Sequence, residues 1–191
     1  MCGRYCLYSR KVLLEKFNIE IEQNYNISPG QVVHVLDEKL KPKKILWGIK
    51  TEWNKKNFVL INARSETLNI KKFFKTSKRC IFIADGYYEW LFNGKKKIPY
   101  YHCLSNNLLF FGGIYNEKGA CIVTKQSGLN LSIIHNRQPY FLDENNFNKW
   151  LNFDEAMIDY ENIIHYHEVS IRVNRAWEND KLLIKGYKND Y

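Results

Sequence analysis

The chain begins MCGRY, and two reactive groups meet at its second residue. Once a start methionine ahead of a small residue is trimmed, Cys2 carries a free α-amine and a thiol on adjacent carbons. No other side chain offers that pair. The amine titrates at about 7.7–8.0 and the thiol at about 8.5, so each is partly nucleophilic at neutral pH. The plainer reading makes Cys2 a small residue that starts a buried strand.

Three further stretches hold polar groups between apolar runs. In INARSET (61–67), Asn62 and Arg64 end an apolar strand just before a helical segment. An arginine there can hold a phosphate with help from the helix N-terminus. Equally, Asn62 could bond a neighbouring turn while Arg64 faces water. In DGYYEW (85–90), Glu89 lies between Tyr88 and Trp90, a setting that raises a carboxyl's pKa and suits proton transfer. Strand alternation also allows Glu89 to point to solvent. In IIHNRQPY (133–140), His135 precedes Asn136, Arg137 and Pro139, which makes it a candidate acid/base group beside a guanidinium, or a structural histidine at a strand end. His34, His102, His165 and His167 have weaker settings. Cys2 and Cys6 are spaced C-x3-C, but no second pair completes a zinc site, so neither metal nor cofactor is expected.

These residues need a scaffold. At 191 residues, 45% apolar and 15% aromatic, the chain is expected to form a single domain over 1–191. Val12, Leu13, Leu14 and Phe17 predict a helix over 9–19 capped by Ser9, and SETLNIKKFF (65–74) predicts another. VVHVLD, KKILWGI, NFVLINA, RCIFIADGYYEWLF, IPYYHCL, LLFFGGIY and ACIVTK read as strands, with Asn93-Gly94 turning a hairpin. DENNFNKWLN and DEAMIDYENII read as helices, and HYHEVSIRV as a last strand. The expected fold is α+β: short antiparallel strands closing into a barrel-like core, with a few peripheral helices.

The net charge of +9 favours a polyanionic partner, nucleic acid before membrane. WGIKTEWNKKN (47–57), KKFFKTSKR (71–79) and GKKKIPYY (94–101) interleave cations with aromatics, as single-stranded nucleic acid requires. No run reaches the length of about 18 apolar residues that spans a bilayer. The first residues lack the apolar core of a secretory signal, and five scattered cysteines read as reduced thiols of a cytoplasmic protein.

MCGRY, NARSET, the RC…ADGYYEW run and the IH.R.P motif of IHNRQP stand in that order, and the set resembles the SRAP (SOS-response-associated peptidase) family. YNISPGQ, WGI, IPYY, FFGGIY and the VN of IRVN match weaker signatures, so the resemblance spans nearly the whole chain. Departures are few: WGIKTEW lacks the proline usual after WG, Ile83 stands where proline is common, and Gln138 replaces a methionine.

The resemblance implies a DNA-damage protein that senses and shields abasic sites in single-stranded DNA, in an α+β fold with a basic DNA channel. It implies Cys2 as nucleophile and Asn62, Glu89 and His135 as its active-site partners. Arg4, Arg64 and Arg137 match arginines that hold the DNA backbone, and Gly3, Pro29 and Trp53 match residues lining its path. A monomer is expected, working in the cytoplasm on nucleoid DNA. The chemistry would be condensation of the Cys2 amine with the aldehyde of the opened sugar, followed by thiol closure to a thiazolidine. Two other classes fit some residues: a thiol peptidase with Cys2 and His135, and a non-covalent single-strand binder that leaves Cys2 idle.

Overall fold

A computed structural model describes residues 2–51, 58–160 and 162–187. In chain order its strands are β1 (Tyr5–Leu7), β2 (Asn24–Ile27), β3 (Val32–Leu36), β4 (Pro42–Leu46), β5 (Ile49–Thr51), β6 (Phe58–Leu60), β7 (Asn62–Arg64), β8 (Lys78–Ala84), β9 (Gly86–Phe92), β10 (Lys97–Cys103), β11 (Leu109–Asn116), β12 (Gly119–Gln126), β13 (Arg137–Pro139), β14 (Phe141–Leu142) and β15 (His165–Glu168). The α-helices are short: α1 (Arg10–Phe17), α2 (Lys72–Lys75), α3 (Leu129–Ser132) and α4 (Phe147–Leu151).

The strands form two large sheets. One runs β15-β10-β9-β1-β2, so the first strand of the chain sits inside it, with Tyr5 opposite Tyr87 on one side and Ile27 on the other. The other runs β13-β12-β11-β8-β3-β4, with β7 parallel to β12 and β14 on β11. Continuous apolar runs mark its middle: β8 (KRCIFIA) and β11 (LFFGGIYN) are buried almost throughout because both faces are covered. Tyr5, Trp47, Phe82, Phe111 and Phe141 fill the space between, with the Tyr5 and Trp47 rings 5.2 Å apart.

The α+β class with mainly antiparallel strands holds. The barrel does not: among the described residues neither sheet closes. The end of β4 approaches β12 through one isolated bridge between Trp47 and Ala120, and no ladder grows from it.

Other expectations also need correction. Ser9 sits at the α1 N-cap but its hydroxyl is spent on Asp85, whose other carboxylate oxygen accepts the backbone N–H groups of Tyr8 and Ser9. Of the α1 apolar stripe only Leu13 is buried, while Val12 and Leu14 face solvent. The helix expected over 65–74 is two fragments, a 3₁₀ turn at Ser65–Thr67 and then α2. The described residues of DEAMIDYENII, 154–160 and 162–164, are not a helix. Their backbone bonds to β13–β14 instead, Ala156 N–H to the Tyr140 hydroxyl and Ile158 N–H to the Phe141 carbonyl. HYHEVSIRV is a strand only to Glu168, then a 3₁₀ turn. The five cysteines are free thiols. Among the described residues no helix is long and apolar enough to cross a membrane.

Candidate active site

Residues 2–4 run on from β1 alongside β9, where the Tyr88 N–H donates to the Arg4 carbonyl at 2.9 Å. This carries Cys2 to the place where the two sheets meet. Asn62, the first residue of β7, donates from Nδ2 to the Cys2 carbonyl at 2.9 Å. One hydrogen bond thus ties the nucleophile candidate to the opposite sheet. Cys2 is fully buried, and burial together with the nearby Glu89 charge holds its thiol far above the usual range. Among the described residues its Sγ reaches only the Arg4 carbonyl, at 4.0 Å. Asn62 Oδ1 and the Tyr5 hydroxyl are buried with no hydrogen-bond partner among the described residues, so acceptor and donor capacity stands unspent around Cys2.

Alternation along β9 decides the orientation that the sequence left open. Tyr88 turns to one face, donating to the Tyr25 carbonyl at 2.7 Å, so Glu89 turns inward with Tyr87 and is 3% exposed. Burial pushes the Glu89 carboxyl up to about 7. The same burial, with Glu89 and Cys2 as neighbouring charges, raises Tyr87. A carboxyl poised near neutrality can both take and return a proton.

β12 gathers the arginines. Arg64 pairs with Thr124 across β7, and Arg137 pairs with Gln126 across β13, so both lie at the same end of that strand. Arg64 is exposed. Arg137 is held by Glu66 (2.6 and 3.0 Å) and by the Thr124 carbonyl (2.6 Å), and that arginine holds Glu66 down at about 2. The Arg137 N–H donates to His135 Nδ1 at 3.0 Å, which makes Nδ1 the acceptor and places the ring proton on Nε2. Burial lowers the His135 pKa, favouring this neutral form.

Arg4 uses one nitrogen within the fold, while its Nε is buried without a partner among the described residues. Its Nη1 donates to Asn26 Oδ1 (2.9 Å) and the Val173 carbonyl (3.0 Å), bracing β2 against the 3₁₀ turn Ile171–Asn174. Gly3 adjoins Cys2, whereas Pro29 lies in the turn between β2 and β3. Trp53 lies outside the described residues.

Two residues that sequence reasoning passed over help to build the site. Asp85 reads as a turn residue, yet its carboxylate clasps the end of β1. Glu66 reads as a helix-start charge, yet it orients Arg137. Neither carries a local signal, since both act on segments far away in the chain. Two clefts, of about 1050 and 890 Å³, reach the edges of this site, the first lined in part by Tyr8 and Asp85 and the second by Tyr5 and Lys44. Cys2 itself lies in the seam between the sheets.

Comparison with known proteins gives one consistent result. A family model described as SOS response associated peptidase (SRAP) matches residues 1–176. The chain is 32% identical to the abasic site processing protein YoqW of Bacillus subtilis (strain 168), across 98% of this chain and all of that one. It is 30% identical to the abasic site processing protein YedK of Escherichia coli (strain K12), with 79% of each covered. Among solved structures, a protein from Bacteroides thetaiotaomicron superposes with a TM-score of 0.82 at 18% identity, covering 98% of this chain and 100% of that one.

Proposed function

The chain belongs to the SRAP family, and from that premise we propose that it captures abasic sites in single-stranded DNA by covalent attachment at Cys2. The observation that carries this reading is the Asn62–Cys2 hydrogen bond beside a buried Glu89 held near neutrality. With Met1 removed, the Cys2 amine attacks the aldehyde carbon of the ring-opened sugar. Glu89 accepts a proton from the amine and returns it to the departing hydroxyl, which leaves as water from the carbinolamine. The imine that remains has Sγ two carbons from its nitrogen. The sulfur adds to the imine carbon, its proton passes to nitrogen, and a five-membered thiazolidine closes.

In this order of events the thiol acts second, on an imine carbon already formed, and needs no thiolate in advance, whereas a thiol peptidase does. The Cys2 sulfur bonds toward a backbone carbonyl and not toward an imidazole, which likewise gives the peptidase reading no support. The neutral His135 donates a hydrogen bond from Nε2 to the sugar ring oxygen and so polarises the C–O bond that opens. Arg64 and Arg137 hold phosphates on the flanks of the lesion, Arg137 by exchanging Glu66 for the DNA. The protein acts as a monomer on nucleoid DNA.

The test is direct. Purified protein is mixed with an oligonucleotide bearing one abasic site and resolved on denaturing gels and by intact mass. Wild type is expected to give an adduct at the mass of protein without Met1 plus DNA minus one water, and Cys2→Ala none. Trimmed, folded wild type that forms no adduct would overturn the reading.

A further inference from the structure

Arg79, on β8, is a buried cation away from the candidate site, with the Asp154 charge acting on it from nearby. It is 5% exposed, yet among the described residues its guanidinium has no hydrogen-bond acceptor and no carboxylate within ion-pair distance. Two rings hold it: the guanidinium carbon lies 3.9 Å from the Trp150 ring centre and 4.9 Å from that of Phe153. Stacking satisfies its faces and leaves its rim of N–H donors unspent. Buried charges are ordinarily paired, and burial here pulls the Arg79 pKa down.

That rim borders two adjoining cavities of about 270 and 260 Å³, both lined by Arg79, Asn69 and Phe153. The larger also carries Ser65, Tyr140 and the carboxylates of Asp154 and Glu155. A phosphate fits this lining poorly, because one arginine shares it with three acidic residues, Glu66, Asp154 and Glu155. A flat ligand with acceptors on one edge and donors on the other fits well. Phe153 is 54% exposed and holds a left-handed backbone (φ 70°), which is uncommon for an aromatic residue and sets its ring over Arg79.

The geometry points to a pocket for an unpaired guanine base, with the Arg79 rim on its O6/N7 edge, Asp154 or Glu155 on its N1/N2 donor edge, and Phe153 against its plane. Its position extends the candidate site. Ser65 and Glu66, which line the cavity, directly follow Arg64, and Glu66 holds Arg137. A nucleotide beside the lesion could turn its base into the pocket while its phosphate meets those arginines. The inference rests on the single-strand-binding reading above and adds a base preference to it.

Two measurements keep the two readings apart. Guanosine, adenosine and cytidine monophosphates are titrated against wild type, Phe153→Ala, Asp154→Asn and Arg79→Lys by intrinsic fluorescence, with inorganic phosphate as competitor. Undamaged oligothymidylates carrying one guanine at successive positions are then compared for affinity. Wild type is expected to prefer guanosine monophosphate, and guanine at one position, by about tenfold. Phe153→Ala and Asp154→Asn, both surface changes, are expected to reduce that preference to within twofold and leave binding of plain oligothymidylate unchanged. Equal binding of the three mononucleotides, displacement by phosphate alone, or a preference that survives in those two variants would each overturn the pocket. Oligonucleotides that fail to bind while the mononucleotide preference holds would instead count against the single-strand reading.

Discussion

Replacing Glu89 with glutamine should make the protein more stable and less active, and the two effects can be measured separately. The carboxyl is 3% exposed and is carried from its ordinary 4.5 to about 7, with burial as the main cause. Below about pH 4.5 neither folded nor unfolded chain is ionised there, so Glu89 costs nothing. Between 4.5 and 7 the unfolded chain releases its proton while the folded chain keeps it, and stability falls as pH rises. Above 7 the cost is complete, about 3 kcal/mol at 1.36 kcal/mol per pH unit. Glu89→Gln keeps the shape and removes the charge. Relative to wild type it should gain on the order of 3 kcal/mol at pH 8, or roughly 6–12 °C in Tm for a chain of this size, and almost nothing at pH 4. The assay is thermal and urea unfolding of both proteins from pH 4 to 8. In parallel, adduct formation with an abasic oligonucleotide should slow by about 100-fold, the loss of one proton-transfer group. An equal change in stability at every pH, or capture at the wild-type rate, would refute the assignment.

Three other perturbations follow from the same geometry. Glu66→Gln releases Arg137 from its carboxylate, so single-stranded DNA should bind severalfold tighter at low salt, with a steeper dependence on salt; anisotropy titrations at several ionic strengths check it, and unchanged curves would sink the exchange of Glu66 for phosphate. Asn62→Ala leaves the buried Cys2 carbonyl without its donor, at a cost of about 1–3 kcal/mol, and should slow adduct formation more than it lowers DNA affinity. A single-turnover time course beside a binding isotherm separates the two. Gly86→Ala would drive a Cβ into the Tyr101 ring and hydroxyl, so it should cost at least about 1–3 kcal/mol by urea midpoint; an unchanged midpoint would mean that this strand contact yields freely.

Cys2 stands out in the sequence for its place behind the start methionine, and Asn62 and Glu89 as polar groups beside apolar runs; the structure sets the Asn62 amide on the Cys2 carbonyl and turns Glu89 inward close to Cys2. The strands were legible for a related reason: β8, β11 and β12 are apolar beyond what one covered face requires. Helices were read less well. Ser9 has the right type for a cap, but Asp85, 76 residues away, takes its hydroxyl. Ala156 and Ile158 look helical in spacing, yet their N–H groups find acceptors on β13–β14. Barrel closure depends on whether β4 and β12 extend their single bridge, a matter of long-range register that no local pattern encodes. Arg79 likewise reads as one more cation in a basic run until Trp150 and Phe153 are brought against it.

The placing of β1 inside its sheet has a consequence in time. The strand is among the first parts of the chain to be made, but its neighbour β9 comes some eighty residues later, roughly 4–17 s behind at ordinary rates of synthesis. Until then Cys2 lacks the strand that later lies beside it. The chemistry proposed above needs a free amine at that position, and the interval leaves the start of the chain open to trimming before its sheet is assembled. Intact mass of a preparation, taken before any capture assay, then separates molecules able to react from molecules whose nucleophilic nitrogen is held in an amide, whatever the stability of the finished fold.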